Sequence, residues 1–129
     1  MVRVKKINIR RLWFIGGLGI IGLLWTLSLI PGVPTVGFRY EDKLQHLAAY
    51  GGTVWWWGQY WPTFRQRLVL AIGATLMGVG IEYVQRWTGW RTFDVMDMVA
   101  NGFGVLLGWL AVVTPIGTLL SRVTEWQRQ

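Results

Sequence analysis

Ionisable and amide side chains gather in two stretches of an otherwise apolar chain. Glu82, Gln85, Arg91, Asp94, Asp97 and Asn101 fall within Ile81–Gly108, and Asp42, Lys43 and His46 precede an aromatic run that ends at Trp61. Spacing groups them further. Asp94, Asp97, Asn101, Gly104 and Gly108 recur at steps of three and four, which is one stripe of a helix; Asp42, His46 and Tyr50 are four apart; Glu82 and Gln85 share a face with Gly78. These residue types suit several chemistries. His46 with Glu82, Asp94 and Asp97 offers ligands for a divalent cation such as zinc, manganese or magnesium. No H-E-x-x-H or comparable spacing accompanies them, so no metal is assigned, with His46, Glu82 and Asp97 as weak candidates. Lys43, Arg86 and Arg91 beside His46 suit a phosphate or a carboxylate. A carboxylate of raised pKa beside His46 would serve acid/base hydrolysis, although no residue stands out as a nucleophile and no cofactor is assigned. The plainest alternative is a staple, in which Lys43 and Arg91 neutralise Glu82, Asp94 or Asp97 and Asn101 bonds across helices. Interhelical hydrogen bonds in membranes average only about 0.6 kcal/mol, and one or two would set the register. The cluster exceeds that need.

The elements that carry these residues read as membrane helices. Hydrophobic residues make up 53% of the 129-residue chain and charged ones 15%, which is too few charges for an ordinary soluble domain; Gly and Trp, which membrane proteins favour, number 17 and 10. With no Cys, disulfides, thiolate metal sites and a cysteine nucleophile are excluded. The net charge of +7 comes with no nucleic-acid motif. Arg3, Lys5, Lys6, Arg10 and Arg11 instead form a basic segment, residues 1–11, ahead of an apolar run. That placement fits a topology signal and contact with anionic lipid. The run Leu12–Ile30 is longer than the ~7–15 residues of a signal-peptide core and has no A-x-A-like site after it, so it reads as a retained span.

Four spans are expected, at about 12–30, 42–61, 68–87 and 94–114, in a single domain covering 1–129 with an amphipathic tail over 116–129. Gly16, Gly19 and Gly22 recur on one side of the first span, and Gly104 and Gly108 on the fourth, as surfaces for close helix packing. Asp42 is the expected N-cap of the second span, the least apolar of the four. Pro31-Gly32-Val33-Pro34, Pro62 and Pro115 end the spans they follow. Short loops between the spans imply an all-α, up-down-up-down bundle. Nine of the 13 basic residues lie in the N-terminal segment, the 63–67 connection and the tail, against Arg39, Lys43, Arg86 and Arg91 on the other side. The positive-inside rule then predicts N-in and C-in. Every acidic residue except Glu125 falls on the outer side, where polar faces of helices two, three and four would enclose one pocket. Ionisable groups within a span cost roughly 2.5–3.5 kcal/mol on insertion scales and by default mark function.

The ordered pattern Asp42-Lys43-x-x-His46-x-x-x-Tyr50, Glu82-x-x-Gln85, Arg91-x-Phe93-x-x-x-Asp97-x-x-x-Asn101-Gly102-x-Gly104 resembles the VanZ-like family over roughly residues 42–108. It departs from that pattern at Gly89-Trp90, where a proline is common, and at Asp94, where a serine is common; the second adds a charge. The resemblance implies a small multi-pass protein of the bacterial cytoplasmic (inner) membrane, of the cell envelope, with a link to glycopeptide resistance. By position it carries over Asp42, Lys43, His46, Glu82, Gln85, Arg91, Asp97 and Asn101. The leading expectation is an outer-leaflet pocket that binds an envelope-related ligand or lipid head group. A non-catalytic accessory subunit of a larger membrane complex is the alternative, and an intramembrane metal-dependent hydrolase the third. Membrane lipids, other membrane subunits and no nucleic acid are the expected partners.

Overall fold

The computed structural model describes residues 7–32 and 35–128. Arg3, Lys5 and Lys6 of the basic segment, Val33-Pro34 of the first loop and Gln129 of the tail lie outside the described residues. The protein is all-α: α1 (Ile9–Leu29), α2 (Glu41–Tyr60), α3 (Phe64–Thr88), α4 (Val95–Val112), a 3-10 turn (Pro115–Thr118) and α5 (Leu119–Trp126). Of these, α1, α3 and α4 are long and apolar enough to cross a membrane.

Local chemistry sets the helix ends. Asn8 accepts the Arg11 N–H at 3.0 Å, so α1 starts at Ile9 rather than at Leu12 and takes in Arg10, whose guanidinium lies 4.8 Å from the Tyr60 ring centroid. Thr63 and Gln66 form a capping box, which moves the start of α3 upstream from Leu68 to Phe64 and brings Arg65 and Arg67 into the first turn. Arg67 donates from Nε to the Gly58 carbonyl at 3.0 Å and ties the two helix ends together. Gly89 closes α3 at φ 77°, a left-handed position that favours glycine. Asp94 caps α4 by accepting the Met96 N–H at 2.8 Å. Asp42 is not an N-cap. Tyr40 holds that position, and the second residue of the helix turns its carboxylate to Lys43 instead. The Asp42 reading missed the acid one position earlier: Glu41 is buried and accepts the N–H groups of Val36 (2.6 Å) and Gly37 (2.8 Å), folding the loop back onto α2.

The apolar surface shows how the helices are arranged. Well-exposed large apolar side chains line α1 (Leu12, Ile15, Leu18, Leu23), α3 (Val69, Ile72, Leu76) and α4 (Phe103, Leu106, Leu110), whereas on α2 Leu44 is the sole large one among the described residues. Buried Tyr50, Thr53, Val54, Trp57 and Gln59 mark α2 as the covered helix. A helix wrapped by its neighbours does not need an apolar outer face, which accounts for its low hydropathy. Its backbone runs against α4: a Cβ on Gly104 would overlap the Leu47 carbonyl, and one on Gly108 the Gly51 carbonyl. On the other flank, Trp13 and Trp56 stack at 4.0 Å between centroids, and each indole N–H donates to the other residue's carbonyl (3.0 and 2.9 Å). Close approach on α1 therefore uses Gly16 and Gly17, packed under Trp56 and Trp57; a Cβ on Gly19 or Gly22 would meet no neighbour within 4 Å among the described residues. Gln59 accepts the buried Leu120 N–H at 3.0 Å and seats α5.

Candidate functional site

The last turn of α1, the first of α2, the last of α3 and the first of α4 share one end of the bundle. Gln85 donates to the Ser28 carbonyl at 2.7 Å and Trp90 to the Leu29 carbonyl at 2.9 Å, so side chains from the α3 end cap the C-terminal carbonyls of α1. Gln85 thus leaves the polar cluster and serves as a tie, 1% exposed.

Lys43 is the hub on the solvent side. Its ammonium lies 2.8 Å from Asp42, 2.5 Å from Asp94 and against Asp97 Oδ1. These side chains grade inward, with Asp42 59% exposed, Asp94 39% and Asp97 11%. The hydrogen bond from Lys43, joined by that from the Met96 N–H, holds the Asp94 carboxyl below its usual range. The staple expected of Lys43 is present for Asp94 and Asp97 but not for Glu82, and it takes in Asp42 as well.

Deeper in, the arrangement changes. His46 Nδ1 lies 2.9 Å from Asn101 Oδ1, and His46 Nε2 lies 3.5 Å from Asp97 Oδ2. Glu82 is fully buried; its Oε2 accepts the Asp94 N–H at 3.2 Å, while its Oε1 has no hydrogen-bond partner. The Tyr50 hydroxyl and Asn101 Nδ2 are likewise buried and unpartnered, and both side chains lie against Gly78, where a Cβ would stand 3.0 Å from Asn101 Nδ2 and 3.1 Å from the Tyr50 ring. Buried polar atoms without partners are uncommon in folded chains, and three of the five among the described residues belong to this group, the other two being the indole nitrogens of Trp57 and Trp109.

A cavity of about 420 Å³ opens beside these groups, lined by Leu24, Leu27 and Ser28 of α1, Gln45, His46, Ala49 and Tyr50 of α2, and Arg91. Its size is within the range of small-molecule sites. Arg91 makes no ion pair with any described residue, so it does not neutralise Glu82, Asp94 or Asp97 as a staple would require. Arg86 is not part of this group, since its guanidinium lies 5.9 Å from the Phe93 ring centroid. The α1 wall was missed in the sequence because Leu24, Leu27 and Ser28 carry no signal in an apolar span. A larger cavity of about 620 Å³, lined by Phe14, Leu18, Trp57, Leu70 and Met77 among others, has Arg65 as its only charged residue. Thr53 and Gln66 are its other polar residues, and its mainly apolar lining offers volume for an acyl chain.

A family model described as VanZ/LLP1 matches residues 10–120, nearly the whole chain and beyond the 42–108 pattern. No curated protein and no solved structure matches.

Proposed function

This chain belongs to the VanZ/LLP1 family, and we propose that it is a four-span membrane protein whose polar chamber captures the phosphate or carboxylate of an envelope-related ligand or lipid head group. The observation that carries this reading is Arg91. A guanidinium without an ion pair to any described residue sits on the wall of a cavity that also presents His46 and Tyr50, and the Leu24 and Leu27 side chains supply carbon for the apolar part of a ligand. Arg offers planar paired donors to such anions. The placement of the chamber in the outer leaflet of the bacterial inner membrane follows from the distribution of basic residues, and the link to glycopeptide resistance from the family name.

Native mass spectrometry of the detergent-purified chain, with phosphatidylglycerol and phosphatidylcholine offered together, tests the reading, and inorganic phosphate separates head group from free anion. Retention of the anionic lipid that falls about tenfold in Arg91→Gln supports it, as a single charge-assisted contact of about 1.4 kcal/mol gives that ratio. Equal retention of both lipids, or no effect of Arg91→Gln, overturns it. In cells, Asp97→Ala and His46→Ala should abolish any effect of the protein on glycopeptide susceptibility at unchanged membrane levels.

A second reading, as an accessory subunit of a membrane complex, rests on α1. Only Gly17 and Leu24 of that helix are buried, and a Cβ on Gly19 or Gly22 would meet no described residue within 4 Å. Purification in mild detergent followed by mass spectrometry distinguishes the two, since a lone stable monomer sinks the subunit reading.

A further inference from the structure

His46, Glu82 and Asp97, from three different helices, each present one ligand atom, and those atoms lie within 4.8 Å of one another. We propose that they form a site for one divalent transition cation, Zn²⁺ or Mn²⁺, at the base of the chamber. The site goes beyond the capture of an anionic ligand and does not depend on it.

Four features support the assignment. First, the amide oxygen of Asn101 can only accept, so His46 Nδ1 donates to it, and Nε2, 3.5 Å from Asp97 Oδ2, is the ring nitrogen left for a cation. A ligating histidine is commonly fixed in this way through its other nitrogen. Second, Glu82 Oε1 is buried without a partner in a residue that is 0% exposed. An unmatched carboxylate oxygen at that depth is costly unless a cation or a donor meets it. Third, the local cations are committed elsewhere: Lys43 holds Asp42, Asp94 and only the Oδ1 atom of Asp97, and Arg91 pairs with none of them. Neither Lys43 nor Arg91 therefore reaches Asp97 Oδ2 or Glu82. Fourth, the 3.5 Å from His46 Nε2 to Asp97 Oδ2 is long for a hydrogen bond. It is close to the ~3.3 Å edge of a tetrahedron with bonds of about 2.0–2.1 Å. Three protein ligands leave a coordination position for water or an anion from the cavity, and one nitrogen with carboxylate oxygens suits zinc or manganese better than a thiophilic ion.

A second trio, Asp42, Asp94 and Asp97, also converges. Its centre is taken by the Lys43 ammonium, so it has no room for an ion.

The test uses the full chain in detergent, stripped with EDTA and titrated with Mn²⁺ under electron paramagnetic resonance, with Zn²⁺ as competitor. The expected result is one Mn²⁺ per chain, displaced by Zn²⁺, with nitrogen coupling from a histidine in the pulsed spectrum. Glu82→Gln and His46→Gln should each weaken binding at least about tenfold, and Asn101→Ala should weaken it with the ligands intact, as loss of an orienting partner does. Asp42→Asn should leave it within about twofold, because its exposed carboxylate belongs to the Lys43 group. No stoichiometric ion, an ion without nitrogen coupling, or a loss in Asp42→Asn equal to that in Glu82→Gln overturns the proposal. The nitrogen coupling is read on the wild-type chain, so it decides even if a variant fails to fold.

Discussion

The Gly51 carbonyl of α2 occupies the space where a side chain on Gly108 of α4 would begin. One turn earlier, the Leu47 carbonyl stands in the same relation to Gly104. Helix α4 thus meets α2 backbone to backbone, and this contact holds Asp97 and Asn101 opposite Lys43 and His46. Gly108→Ala forces the two backbones apart, and overpacking of this kind costs typically 1–3 kcal/mol. Gly19→Ala meets no described neighbour within 4 Å and adds a better helix former, so its effect should be neutral or slightly stabilising. Unfolding of the two variants in an SDS titration compares them directly. Equal midpoints would show that the α2–α4 contact does not limit stability.

Lys43→Met removes the cation that faces Asp42, Asp94 and Asp97. Water can still reach Asp42 and Asp94, with side chains 59% and 39% exposed, but hardly Asp97 at 11%. Most of the cost should therefore fall on Asp97. Breaking a buried pair costs about 3–5 kcal/mol; the 25% exposure of Lys43 discounts that to about 1–3 kcal/mol. Adding Asp97→Asn to Lys43→Met should recover much of the loss, whereas adding Asp42→Asn should not. The same SDS titration of the two double variants checks this, and equal recovery would mean that burial does not rank these carboxylates.

Glu41→Ala should act locally. Its carboxylate holds the N–H groups of Val36 and Gly37, and charge-assisted bonds of this kind contribute about 1.5–3 kcal/mol when buried. Val36 and Gly37 are themselves exposed, and water replaces the lost acceptor. Hydrogen exchange at these two amides should speed up by about one order of magnitude while α2 from Ala49 onward keeps its protection. Acceleration along the whole of α2 would mean that the loop is needed to hold the helix.

Periodicity made much of this arrangement legible. Asp94, Asp97, Asn101, Gly104 and Gly108 share a stripe because steps of three and four return to one helix face, and that face lies against α2. What spacing could not supply was partner choice. Gln85 lies on the same face as Glu82, yet it reaches a carbonyl of α1, and a backbone acceptor leaves no mark in sequence. Arg86 and Arg91 look equivalent in the turn, but only one has an aromatic ring beside it. Glu41 was passed over because Asp42 is the better capping type, and the identity of the cap depended on how residues 35–40 fold back. Gly16, Gly19 and Gly22 all read as packing surface; the indoles of Trp56 and Trp57 selected Gly16 and its neighbour Gly17.

Whether α2 crosses the membrane is decided by the relative sidedness of two loops. Hydropathy alone marks α1, α3 and α4 as spans. If only those three crossed, residue 38, before α2, and residue 92, before α4, would lie on opposite sides of the bilayer. If α2 crosses as well, they lie on the same side, and residue 118 on the other. The contact of Lys43 with Asp94 favours the second arrangement, because it joins the start of α2 to the start of α4. The 20 residues of α2 also rise about 30 Å, the thickness of the hydrocarbon core. Phe38, Thr92 and Thr118 are exposed and the chain has no native cysteine, so Phe38→Cys, Thr92→Cys and Thr118→Cys each give a single labelling site. A membrane-impermeant maleimide applied to intact spheroplasts should label residues 38 and 92 alike, and residue 118 only after permeabilisation. Labelling of 38 and 92 from opposite sides would remove α2 from the membrane. Labelling of 118 alone in intact spheroplasts would keep four spans but reverse their orientation and move the chamber to the cytoplasmic leaflet.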